Sequence, residues 1–111
     1  MIRLSDLTLS LRSINANAHE VNLGPTGVLL FSYGVLVAAK FNDTLYITEQ
    51  KWSNTTTRHT NTFRETHGGK FTYYLPQQAF TSGLILDADA RAEYRAGVDL
   101  KRERLLASLS Q

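Results

Sequence analysis

The chain has no cysteine among its 111 residues. That excludes disulfides, thiolate metal sites and a cysteine nucleophile, and it fits a reducing compartment. Long hydrophobic runs are also lacking. The longest, Val35 to Ala39, is far short of the length needed to cross a bilayer. The N-terminal residues lack the continuous apolar segment of a secretory signal, so a cytoplasmic location and no membrane partner are expected. Strong net charge is missing too. At +2 with a pI near 9.1 the protein is mildly basic, which argues against an acidic DNA mimic and permits nucleic-acid contact.

What is present suits one domain over residues 1–111. The apolar fraction of 42% is that of an ordinary folded domain, so a folded chain is expected. Leu7 to Leu11 alternates apolar and polar residues, as a half-buried strand does. Ile14 to Glu20 is polar and Asn-rich and reads as a loop or wide turn, and Asn22 to Gly27 is a breaker cluster. Val28–Tyr33 and Val35–Phe41 are apolar and rich in β-branched and aromatic residues. Gly34 divides them as a bulge or tight bend, and Asn42-Asp43 supplies a turn before Thr44–Glu49. The expected centre is a hairpin over about 28–49.

Ser53 is placed to cap a helix over about 54–66 that Gly68-Gly69 ends. Six threonines make that helix intrinsically weak, at roughly 0.5–0.7 kcal/mol each against alanine. It therefore needs tertiary support; an irregular loop is the alternative. Helical spacing gathers Thr56, His59, Thr60, Phe63 and His67 on one face and Arg58, Thr62 and Glu65 on another. Lys70–Leu75 reads as an aromatic strand, and Pro76 opens a short helix over Gln77–Thr81 that stops near Gly83. Asp87 to Ser108 reads as a long helix, acidic at its start and basic towards its end, as the helix dipole favours. Its stripe is Tyr94, Val98, Leu105 and Leu109, widened by Leu106. The fold class expected is α+β: a small antiparallel sheet, the polar helix and the long C-terminal helix about 87–108.

The excess positive charge lies in residues 51–70. Lys51, Arg58, Arg64 and Lys70 stand against Glu65 alone, so this segment is +3 in a chain that is +2. Phosphate binding uses such cations with hydroxyl and amide donors, and nucleic-acid sites often add a stacking ring. Ser53, Asn54, Asn61 and the threonines supply the donors; Trp52 and Phe63 supply rings. The plain alternative is a solvated helix face with both rings turned inward. His59 and His67 lie about 12 Å apart along a helix, too far to share one ion, so no metal or other cofactor is expected. His59 is expected to hydrogen-bond Thr55 or Thr56. No nucleophile elbow, Gly-rich phosphate loop or patterned carboxylate pair is visible, and the chain is not expected to be an enzyme.

The stretch Ser32-Tyr33-Gly34, Val37-Ala38-Ala39, Leu45–Thr48, Lys51-Trp52-Ser53 and Thr55–Asn61 resembles a small uncharacterised domain family encoded by phages and other mobile elements. The shared pattern is S-Y-x-T-x-V-A followed by Y-S-x-T-T-S/T-x-H. Here Trp52 replaces the usual tyrosine, and Val35 or Leu36 replaces the threonine. The resemblance covers about residues 28–64, and Thr56, Arg58, His59 and Asn61 match it. It carries over no catalytic residue. It implies action on host machinery or on nucleic acid inside a bacterial cell. Together these features point to a non-catalytic nucleic-acid-binding protein using Lys51, Trp52, Thr56, Arg58, His59, Asn61, Arg64 and Lys70. The alternatives are an inhibitor that docks on a host protein complex, of anti-CRISPR or anti-restriction type, and a catalytic role built on His59. Leu105, Leu106 and Leu109 mark a possible homodimer surface.

Overall fold

A computed structural model describes residues 10–15 and 17–109. Six strands form one sheet in chain order: β1 (Ser10–Asn15), β2 (Ala18–Asn22), β3 (Gly27–Ser32), β4 (Val35–Phe41), β5 (Thr44–Thr48) and β6 (Phe71–Leu75). Each neighbouring pair from β1 to β5 is antiparallel, and β6 joins β5 in parallel. A parallel partner needs a long crossover. Helix α1 (Asn54–His67) provides it. Helices α2 (Gln77–Thr81) and α3 (Ala88–Leu109) follow. The α+β class holds, and the sheet is mixed and wider than a hairpin.

The alternation of strand side chains sorts the core into two faces. Leu30, Val37, Ala38, Leu45 and Ile47 pack against Phe63 of α1. Val21, Leu29, Phe31, Leu36, Ala39, Phe41 and Tyr46 pack with Leu75, Ala79, Phe80 and Ile85, while Tyr94 and Val98 of α3 cover the edge of that cluster. The sheet therefore lies between α1 on one side and α2 with α3 on the other. A register shift between Leu30 and Phe31, opposite Val37, lets both Val37 and Ala38 reach the α1 side.

The weak helix α1 gets its support here. Ser53 Oγ accepts the Thr56 N–H at 3.1 Å, and the Gly68 N–H closes the other end on the Arg64 carbonyl at 2.8 Å. Lys40 Nζ donates to the His67 carbonyl at 2.5 Å, placing a cation at the helix C-terminus. Thr56, His59, Thr60 and Phe63 are the buried face.

Residues 14–15 and 18–20 correct the expectation of a loop. Most of them pair in β1 and β2, with Ala18 opposite Ser32 and Glu20 opposite Leu30. Pairing beside a strongly apolar strand overrides the weak β-propensity of Asn and Glu. Leu7 to Leu9 lie outside the described residues. Tyr33 and Gly34 form a two-residue turn with φ of 52° and 77°, the hairpin geometry that glycine and asparagine favour and tyrosine resists.

The C-terminal stripe divides. Tyr94 and Val98 are half-buried, while Leu105, Leu106 and Leu109 are exposed, Leu109 at 74%. No described helix is long and apolar enough to cross a membrane.

Candidate functional site

The connection from β5 to α1 carries Trp52 across the end of the sheet. Its ring is 48% exposed, which excludes a core position. It is nevertheless held. Its Nε1 donates to Gln77 Oε1 at 3.3 Å, and Gln77 Nε2 donates to the Leu36 carbonyl at 2.9 Å and to Thr81 Oγ1 at 3.1 Å. A glutamine fixed to β4 thus supports the indole from behind.

Trp52 borders two hollows. One, of about 340 Å³, runs between Trp52 and Tyr74 and is lined by Glu49, Lys51, Thr57, Thr60 and Asn61. The other, of about 290 Å³, lies between Trp52 and Tyr33 over Val35, Val37, Ser53 and Thr56. Tyr33 is 54% exposed and Tyr74 48%. Three exposed aromatic rings therefore follow one another beside α1, with Trp52 in the middle.

Arg64 is oriented towards this row. Its Nη1 donates to the Tyr74 hydroxyl at 2.8 Å and its Nη2 to Asn61 Oδ1 at 3.0 Å. Helical spacing puts Thr57, Asn61 and Arg64 on one flank of α1, and Arg58 with Glu65 on its outermost face. Lys70 lies beyond the far end of α1, with its Nζ 5.7 Å from the Phe71 ring centre. Among the described residues the one basic side chain within ion-pair distance of a carboxylate is His67, whose Nε2 lies 2.8 Å from Glu20 Oε1. Lys51, Arg58, Arg64 and Lys70 are exposed and, among the described residues, have no carboxylate at bonding distance.

Two of the expected contact residues lie beneath the surface. Thr56 and His59 are buried at 6% exposure each. His59 Nδ1 is 2.7 Å from Ser32 Oγ, and Ser32 Oγ is 3.1 Å from Thr56 Oγ1. Ser53 Oγ donates to Thr56 Oγ1 at 3.3 Å. The partner of His59 is therefore Ser32, 27 positions away, and not a threonine one turn earlier, because the buried helix face points its ring at the end of β3. Burial holds the His59 pKa below its usual value, since a charged imidazole loses hydration there. His59 meets the Ser32 hydroxyl and the Tyr33 ring, 5.9 Å away, and among the described residues no carboxylate bonds it. This geometry bolts α1 to the sheet and sets the floor under Trp52 and Tyr33.

Lys51, Trp52, Asn61 and Arg64 thus meet at one surface, Arg58 and Lys70 flank it, and Thr56 and His59 support it. Tyr33, Tyr74 and Gln77 were missed. The signal for Tyr74 was present: alternation along Phe71–Leu75 places Thr72 and Tyr74 on the face opposite Leu75. Among the described residues no group of His, Asp or Glu is arranged to hold a metal ion.

No curated protein and no solved structure matches the chain significantly. The matched family span runs from before β1 to Ser82, one residue past α2, so it includes the whole aromatic row and stops short of α3. Residues 4–82 match the model of a family of unknown function, DUF8033, and the chain belongs to that family.

Proposed function

We propose that the protein is a non-catalytic, single-stranded nucleic-acid-binding module of phage or mobile-element type, and that Tyr33, Trp52 and Tyr74 are its stacking platform. The observation that carries this reading is the pair of hollows sharing Trp52, each closed by a second exposed ring. Successive unpaired bases stack on such rings with little sequence preference, at about 1–3 kcal/mol per base. Lys51 and Arg64 stand beside the row to meet phosphates, with Arg58 and Lys70 extending the positive surface. Asn61 and Glu49 supply a donor and an acceptor for base edges. A duplex hides its ring faces, so single strands are favoured over double strands.

The test is binding of labelled single- and double-stranded DNA and RNA across a salt series, for the wild type, Trp52→Ala and Arg58→Ala/Arg64→Ala. Salt-sensitive, single-strand-preferring binding that both variants weaken supports the reading. Absence of binding at low salt removes it.

A second reading rests on α3. Leu100, Leu105, Leu106 and Leu109 are exposed on its C-terminal half. Such apolar surface serves an interface, either with a second copy of the chain or with a host defence complex that the protein occludes. A stable complex with one host protein, without affinity for nucleic acid, is the outcome that favours it.

A further inference from the structure

On the other side of the sheet, the start of α3 covers a cavity of about 360 Å³. Arg91 and Arg95, one helical turn apart, both line it, together with Tyr46, Tyr73, Phe71 and Asn42. Arg91 is only 9% exposed. Its Nη1 donates to the Ile85 carbonyl at 2.9 Å, and its guanidinium carbon lies 3.8 Å from the Phe41 ring centre. Arg95 Nη1 donates to the Tyr46 hydroxyl. Neither guanidinium has a carboxylate at ion-pair distance among the described residues.

That is an unusual state for such groups. Buried cations are normally paired, and like charges one turn apart repel. Asp87, just before α3, acts on Arg91 through its charge without bonding it, and its Oδ1 caps the N–H groups of Asp89 and Ala90. Asp99 accepts from the Tyr73 hydroxyl at 3.2 Å. Each guanidinium has five N–H donors, more than its neighbours use. Burial also weakens the hold of Arg91 on its proton, a cost that a bound anion offsets. The cavity walls are flat: Tyr46 and Tyr73 stack at 24° with centres 6.1 Å apart, and Phe71 stands exposed at the rim.

We propose that this cavity binds a small planar phosphate ester of the nucleoside monophosphate class. Arg91 and Arg95 grip the phosphate, and Tyr73 and Phe71 hold the ring. Guanidinium forks suit phosphate oxygens, and the volume falls within the usual range for small-ligand pockets, about 300–1,000 Å³. The site is separate from the aromatic row beside α1, and both arginines lie past the family-matched span.

The experiment is a titration of the isotopically labelled full chain with adenosine monophosphate, followed by nuclear magnetic resonance. Inorganic phosphate and adenosine serve as separate arms. Saturable shifts are expected at the Arg91 and Arg95 Nε–H signals and at the amides of Asn42 to Tyr46. Phosphate alone is expected to move the arginine signals with lower affinity, and adenosine alone to bind more weakly than the ester. Arg95→Gln should weaken the ester about tenfold or more, the loss expected for a charge-assisted hydrogen bond, while its melting temperature shows that it folds. The proposal is overturned if the arginine signals do not move, if shifts fall only beside α1, if Arg95→Gln folds and binds as the wild type does, or if phosphate alone binds as tightly as the ester.

Discussion

His59 and Ser32 meet at 2.7 Å across the interface between α1 and the sheet, although 27 positions separate them. The bond links the buried face of a threonine-rich helix to the last residue of β3. Ser32 immediately precedes Tyr33, and Thr56 of the same network lies under Trp52. The floor of the candidate surface and the anchorage of α1 are thus one structure.

Ser32→Ala removes the hydroxyl and leaves His59 Nδ1 without its partner. An orphaned buried polar group costs about 1–3 kcal/mol. Urea unfolding should show a loss of that size, with an unchanged slope against denaturant concentration. Ser53→Ala, which removes the cap of α1, should cost about 1 kcal/mol.

The same histidine predicts a pH dependence. Its folded pKa lies below the usual 6.5 because of burial. Between the two values the unfolded chain binds more protons, so acid favours unfolding. The contribution of His59 is present above about pH 6.5 and is lost as pH falls towards the folded value. Melting temperatures from pH 8 to 5 should fall for the wild type and fall less for His59→Gln over that window.

Tyr33 predicts a trade between stability and binding. Its positive φ of 52° costs a non-glycine residue about 1–2 kcal/mol. Tyr33→Gly should therefore keep the protein at least as stable while weakening single-strand binding. A variant that loses both would place Tyr33 among structural residues, with its ring needed against His59.

Leu105→Glu/Leu109→Glu tests the exposed half of α3. Sedimentation should show a wild-type dimer that the variant converts to monomer with an unchanged melting temperature. A wild type that stays monomeric at high concentration leaves that face without a second copy.

Much of the fold was legible because local signals agreed with the tertiary outcome. The Val28–Thr48 strands, the Ser53 cap and the short helix after Pro76 all followed from periodicity and turn chemistry. The β1–β2 hairpin was not legible, since its Asn-rich residues are strands only because β3 offers them an edge. The parallel placement of β6 also depends on packing; nothing in Phe71–Leu75 states its direction. For the candidate site, charge drew attention to residues 51–70, and Trp52 supplies an exposed ring there. Spacing alone did not separate the buried Thr56 and His59 from the exposed Asn61 and Arg64. The roles of Tyr33, Tyr74 and Gln77 depend on contacts spanning the chain.

The most direct measurement is the affinity of wild type and Trp52→Ala for a labelled single strand as a function of salt. The account predicts that log affinity falls with log salt at a slope of roughly −2 to −3, as three or four phosphate contacts require. It also predicts that Trp52→Ala weakens binding by about tenfold, in line with one lost stacking contact, and leaves that slope unchanged. Equal affinity of the folded variant and the wild type, or no binding by either at low salt, would contradict the account.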